Sequence, residues 1–303
     1  MAFISILANL IMPSTKMRPG ASSFSRIFEV SESNVNLVRV KSDTTVSRLN
    51  ISLNEIMKNL NNENGNGQKL LHIRDLLRLF LPKTNRNVKL KHTSPFSSRE
   101  FGFSAIMPRS KAKCYLLDLG LLNLLCCKDK VDILYGSTKE SNRKNFVNFF
   151  VFELVDSLVQ DERDSSKNVP FELHVLETAL SCVVEKFTNQ ITLVEPLYDE
   201  LIIDATSDPT QIKVGRMAAI KKSLFTYSQG VETIIQAIKE LLSNDRDMAD
   251  MYLDVKRDTG DHEEVEFLLE AYLADIQDCM NKAKGSGFLT IVIALFFVLR
   301  NPI

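Results

Sequence analysis

From Pro170 to Met280, apolar residues recur at steps of three and four with few breaks, and a chain patterned this way must bury long helical stripes against one another. Pro170 suits a first helical position, where its missing N–H is not needed. Leu173, Leu176, Leu180, Val183, Val184, Phe187, Ile191, Val194 and Leu197 make the first stripe. After Pro209, a second stripe runs through Ile212, Met217, Ile220, Leu224, Tyr227, Val231, Ile234, Ile235, Ile238, Leu241 and Leu242. Val265, Leu268, Leu269, Tyr272, Leu273, Ile276 and Met280 make a third, with Met280-Asn281 at its polar end. Long helices joined by short acidic turns pack as antiparallel hairpins or a bundle. On pattern alone, such a bundle is also a scaffold with no ion chemistry.

Upstream the pattern is mixed. Phe24–Val30, Val35–Val40, Phe101–Met107 and Ala112–Leu117 read as strands by their β-branched and aromatic content. Asn50–Leu60 has helical spacing at Ile51, Leu53, Ile56, Met57 and Leu60. Asn61–Gly67 is a turn-rich loop, Leu70–Leu81 is apolar and basic, and Pro82–Glu100 is a second loop. Leu119–Cys127 reads as a short helix and Val131–Leu134 as a strand. The expected class is α+β. A mixed α/β domain over 26–160 is followed by long antiparallel helices over 168–284 and an apolar tail over 285–303. Residues 1–25 are a targeting or disordered segment. Lys16, Arg18 and Arg26 with no acid before Glu29 resemble an organelle transit segment, and a ragged start is the competing reading. The tail run Phe288–Leu299, between Lys284 and Arg300, is shorter than the ~18–20 residues that span a bilayer. It reads as a marginal or truncated span, an interfacial anchor or a mistranslated tail.

A net charge of -1 gives no basic surplus for a nucleic-acid partner. The 5 cysteines have no CxxC spacing and read as small buried hydrophobes in a reducing compartment. No GxSxG, HExxH, Walker A or GxGxxG motif is present, so no catalytic residues are assigned and the chain reads as a non-enzyme. The turn between the second and third stripes is the place for chemistry. Asp245, Asp247 and Asp250 lie close enough in sequence to share a hydrated hard cation such as Mg2+, which takes one or two carboxylates and keeps several waters. Acids here also cap helices and suit a helix N-terminus. Glu263 and Glu264 follow and read equally as a solvated helix face.

Several stretches resemble one family in order. Pro170-Phe171-Glu172-Leu173 through Leu180, Pro196-Leu197-Tyr198-Asp199-Glu200-Leu201, Asp245-Arg246-Asp247-Met248-Ala249-Asp250-Met251-Tyr252-Leu253 and Glu263 through Tyr272 are similar to helical motifs of the CorA-like magnesium transporters, in their eukaryotic mitochondrial and plant MRS-type branch. His72-Ile73-Arg74-Asp75-Leu76 and Ser104–Arg109 resemble its upstream motifs. The likeness covers residues 26 to 282. It implies an α/β domain followed by stalk helices, five subunits in a funnel, and Mg2+ as the transported or regulatory ion. Asp245, Asp247, Asp250, Glu263 and Glu264 would be the regulatory Mg2+ contacts. The implied partners are further copies of this chain or full-length homologous subunits in a membrane. That membrane is the mitochondrial inner membrane, with another organelle or the plasma membrane as the alternative. The family's Gly-Met-Asn pore motif is absent from these 303 residues, and Ser243, Asn244 and Arg246 stand where the family carries acids. The expectation is therefore a family member without its own pore, and the alternative is a Mg2+-sensing module that assembles with full-length subunits.

Overall fold

The computed structural model describes residues 34–63, 71, 75–76, 79, 104–135, 141–163, 169–194, 196–197, 200, 214–254 and 256–300, with backbone alone at 62–63, 162–163, 214–217 and 286–300. The expected strand at Phe24–Val30 and most of Leu70–Leu81 lie outside them.

Six strands form one antiparallel sheet: β1 (Asn34–Lys41), β2 (Val46–Ser52), β3 (Ala105–Arg109), β4 (Cys114–Asp118), β5 (Asn123–Cys127) and β6 (Lys130–Leu134), in the order β2-β1-β6-β5-β4-β3. Tight turns set the register. Between β1 and β2, Asp43 Oδ1 accepts the Thr45 N–H at 3.0 Å, and Thr44 takes φ 62. Ser52 ends β2, and its Oγ accepts the Glu55 N–H at 3.2 Å, which caps helix α1 (Leu53–Glu63). The helical spacing expected over Asn50–Leu60 therefore starts three residues later than its pattern suggests, because Asn50, Ile51 and Ser52 pair with β1.

The helix expected at Leu119–Cys127 is a strand. Gly120 adopts φ 80 and Asp118 Oδ1 accepts its N–H at 3.2 Å, so the chain reverses and β5 pairs with β4. A continuous apolar run buried on both faces has no period to separate strand from helix. The helix α2 (Ser141–Arg163) is absent from the expected elements. Its stripe is Phe146, Phe150, Leu154 and Leu158, all buried.

The pleat divides two apolar layers. On one face Val38, Val40, Tyr115, Leu117, Leu124, Cys126, Val131 and Ile133 join the helices in one core. On the other, Leu37, Cys114, Leu116, Leu125 and Leu134 meet Leu53, Ile56 and Leu60 of α1. Arg39 and Asp132, paired across β1 and β6, form a two-pronged ion pair at 2.6 and 2.8 Å.

The helical half contains α3 (Phe171–Thr192), α4 (Val214–Leu242), the short α5 (Asp245–Ala249) and α6 (Glu263–Arg300). Tyr227 in α4 fixes their alignment. Its hydroxyl donates toward the Phe187 carbonyl of α3 at 3.2 Å, with the Cys279 carbonyl of α6 at 3.5 Å. At the other end, His262 just before α6 meets Asp245 at the start of α5, separated from α4 by two residues, and Glu172 of α3 meets Leu253. Hence α3 and α6 run the same way and α4 runs against both. The third stripe does not stop at its expected polar end near Asn281. α6 continues through Gly285, Ser286 and Gly287 to Arg300. Each glycine costs a helix about 1 kcal/mol relative to alanine and does not break it. No proline intervenes before Pro302.

Candidate functional site

The acidic turn is held by its apolar residues. Met248, Met251, Tyr252 and Leu253 are buried, whereas Asp245 is exposed and Asp247 and Asp250 are half-buried. Asn244 is the cap, its side-chain oxygen accepting the Asp247 N–H at 3.3 Å. Asp245 and Asp247 occupy the first turn of α5, where the helix dipole favours negative charge, and Asp250 is the C-cap. A neutral Asn does the capping, and the carboxylates remain at the surface.

The second half of the site is the start of α6. His262 immediately precedes it and is buried, with Nε2 3.8 Å from Asp245 Oδ1 and Nδ1 3.4 Å from Glu266 Oε2. Glu264 accepts a hydrogen bond from the Tyr252 hydroxyl at 3.0 Å and lies 3.8 Å from Arg257, which also donates to Asp261 at 3.2 Å. The Arg257 guanidinium lies 3.6 Å from the centre of the Tyr252 ring. Burial, reinforced by the bond to Glu264, pushes the Tyr252 phenol up to about 12. Glu264 is therefore engaged in tying the turn to α6, while Glu263 is exposed beside it. The structure brings Asp245 to His262, and Glu264 to Tyr252 and Arg257. Among the described residues, no three His, Cys, Asp or Glu side chains converge as a metal site.

Glu172 and His262 are the polar anchors that sequence reasoning did not single out. Glu172 is 2% exposed, and its Oε1 accepts the Leu253 N–H at 2.9 Å. Its own carbonyl accepts from the Tyr115 hydroxyl at 2.7 Å, which links the turn through α3 to β4. Lys128, in the β5–β6 turn, pairs with Asp254. These groups border an open cleft of about 310 Å³, with Asp129 and Arg257 also on its wall. The cleft carries both signs of charge. The one available signal for Glu172 was an acid in a first helical turn, two residues after a proline.

Residues 97–286 match the family described as magnesium transporter MRS2-like, well over half of the chain. The chain belongs to the MRS2-like magnesium transporter family. The matched span contains the acidic turn, all of α2 to α5 and most of α6. Relatives agree. The chain is 28% identical over 155 residues to the mitochondrial inner membrane magnesium transporter mrs2 of Schizosaccharomyces pombe, covering 49% of this chain and 36% of that protein. It is 30% identical over 164 residues to its namesake in Aspergillus fumigatus, covering 52% of this chain and 27% of that protein. It is 28% identical over 158 residues to the magnesium transporter MRS2-B of Oryza sativa subsp. indica, covering 51% of this chain and 33% of that protein. The chain thus spans roughly a third of the length of the curated relatives it matches. Among the described residues, no helix is long and apolar enough to cross a membrane. The family is one of magnesium transporters rather than enzymes.

Proposed function

We propose that this chain supplies the extramembrane, Mg2+-responsive part of a magnesium transport assembly at the mitochondrial inner membrane. The observation that carries the reading is the family match over 97–286, which includes the acidic turn where α4 ends and α6 begins. Asp245, Asp247 and Asp250, with Glu263 alongside and Glu264 in its network with Tyr252 and Arg257, provide oxygen ligands at that junction. Mg2+ keeps most of its waters and is satisfied by one or two carboxylates, so a surface turn of this kind suits a regulatory ion. α6 leads from the turn to the apolar run Phe288–Leu299, a direct mechanical route from ion to membrane. The α3, α4 and α6 bundle serves as the stalk. The partners are further copies of this chain, five in the complete assembly, or full-length homologous subunits.

A second reading rests on the exposed Asp245 and Glu263 beside the turn: the chain acts as a Mg2+-sensing module that assembles with full-length subunits. Mg2+ uptake in transport-deficient cells separates the readings, measured for the chain alone and together with a full-length homologue. The sensing reading expects no uptake from the chain alone and altered uptake alongside the homologue. Uptake by the chain alone would refute it and favour a self-sufficient transporter. No effect in either setting, with no Mg2+-dependent rise in melting temperature, would refute both and leave a helical scaffold. A ligand of the folded state raises that temperature, and an Asp245/Asp247/Asp250 to Ala variant should lose the rise.

A further inference from the structure

One end of the sheet brings two cysteines into register. Cys114 opens β4 and Cys127 closes β5, and their Cα atoms are cross-strand partners. The turn between these strands fixes which partners are hydrogen-bonded. The Leu119 N–H donates to the Leu122 carbonyl at 2.9 Å, and bonded and unbonded pairs alternate along an antiparallel ladder. Leu117–Leu124 and Tyr115–Cys126 are therefore bonded pairs, whereas Leu116–Leu125 and Cys114–Cys127 are unbonded. An unbonded pair sets its Cα atoms about 4.5 Å apart with the side chains close together, inside the roughly 4.4–6.8 Å that a disulfide spans. Cys114 and Cys127 point to the same face, into the layer that meets α1. Neither is disulfide-bonded in the structure. We propose that Cys114 and Cys127 are a redox modification site, which a small disulfide of the glutathione class converts reversibly into a cross-strand disulfide.

The other thiols have no such cysteine partner among the described residues. Cys126 is adjacent to Cys127 but points to the opposite face, and Cys279 Sγ lies 3.7 Å from Thr188 Oγ1. Cys114 is 0% exposed and Cys127 9%, the latter at the rim of the sheet beside the exposed Lys128. Burial pushes the Cys114 thiol up to about 12, with Arg109 pulling it down and Asp75 pushing it up. Cys127 is thus the entry point, and cations attend it: Lys128 follows it and Lys130 is its register partner in β6. Positive charge favours the attacking thiolate. The Cys127 thiolate attacks one sulfur of the reagent, the S–S bond breaks, and one thiolate leaves and takes up a proton. Cys114 then gives up its proton, and its sulfur displaces the second thiolate to form the Cys114–Cys127 bond. Two protein thiols lose two electrons, and one reagent disulfide becomes two thiols. In a reducing compartment the pair rests as thiols, and the bond forms when the thiol pool is oxidised. Cys127 directly precedes Lys128, the ion partner of Asp254 just beyond the acidic turn, so the bond stiffens the strand end that holds that turn. Neither thiol lies in the turn itself, so the site stands or falls apart from the Mg2+ reading.

The test is incubation of the folded full chain with glutathione disulfide, followed by intact mass measurement and peptide mapping without reduction. The expected product has lost two hydrogens, carries a Cys114–Cys127 link and returns to the parent mass with dithiothreitol. Cys114→Ser should stop at one glutathionyl group on Cys127. Cys127→Ser should form neither the link nor the adduct, and Cys182→Ala should link as the parent does. The peptide map of the parent chain decides the site whether or not a serine variant folds. Absence of the link in the folded parent, a Cys126–Cys127 link in its place, or a stable glutathionyl adduct on Cys127 of the parent would overturn the site.

Discussion

Replacing Glu172 tests what anchors the acidic turn to the rest of the molecule. Glu172 is 2% exposed, and its carboxylate accepts from the N–H of Leu253, itself 4% exposed. In Glu172→Ala that N–H has no acceptor, and an orphaned buried donor costs about 1–3 kcal/mol. Glu172→Gln retains a carbonyl oxygen on nearly the same stem. A charged hydrogen bond becomes a neutral one, but the cost of burying the charge disappears as well, so the two changes offset. Gln should therefore lie within about 1 kcal/mol of the parent and Ala about 1–2 kcal/mol below Gln. At about 2–4 °C per kcal/mol for a chain somewhat smaller than this, Ala should lower the melting temperature by several degrees. Residue-resolved amide exchange gives the local readout, with the Leu253 amide exchanging faster in Ala than in Gln. If Gln destabilises as much as Ala, the charge rather than the acceptor is what matters. If Ala is neutral, water reaches Leu253 and the anchor argument fails.

Asp132→Ala removes both prongs of the Arg39 pair and should cost about 1.5–3 kcal/mol in urea unfolding; removing both side chains together should cost less than the sum of the singles. Tyr227→Phe removes one donor from two helical carbonyls that also serve as acceptors within their own helices, so the loss should be only about 0.5–1.5 kcal/mol, and a larger one would mean the ring itself shifts. Burial pushes the Cys114 and Cys182 thiols from 9.0 up to about 12. The unfolded chain then loses these protons first, so their contribution is intact below about pH 9 and is lost as pH rises from 9 toward 12. Urea midpoints across that range should fall less steeply in a Cys114→Ala/Cys182→Ala variant, and the native thiols should resist alkylation at pH 8. Gly285→Ala places its new methyl in open space and should stabilise α6 by about 0.5–1 kcal/mol, read as slower amide exchange around residue 285.

The helical half was legible because its signal is long. Stripes of seven to eleven apolar residues at one period leave no alternative, and α3, α4 and α6 fall on them. The strands were legible where β-branched residues alternate, as at Val38 and Val40, and were lost where burial on both faces erased the alternation, as in Asn123–Cys127. The β2–α1 boundary failed for a different reason. Ile51 suits a helical stripe and a strand equally, and the pairing of Ile51 with Val35 decides it. That pairing is a long-range fact. The end of α6 was misjudged because Gly285-Ser286-Gly287 reads as punctuation, although a helix carries isolated glycines at a modest cost when its flanks are strong.

The candidate site divides along the same line. The acidic turn could be located from its composition, but closeness in sequence is not convergence in space. A helix advances about 100° per residue, so Asp245 and Asp247 point about 200° apart and Asp245 and Asp250 about 140° apart on the same axis. Met248, Met251, Tyr252 and Leu253, each at 6% exposure or less, anchor the turn and leave Asp245 exposed with Asp247 and Asp250 half-buried. Three carboxylates splayed in this way cannot close around one bare ion within a single chain. They can hold a hydrated ion through its waters, or share one with acids of a neighbouring chain, and both fit an ion that keeps its hydration shell. His262 is the reverse case. Nothing in the local sequence marks it, since a lone histidine before a helix is ordinary. Its interest comes from Asp245 arriving from across a loop of sixteen residues and from Glu266 one turn ahead on the same face, and only the packing of α5 against α6 makes the three neighbours.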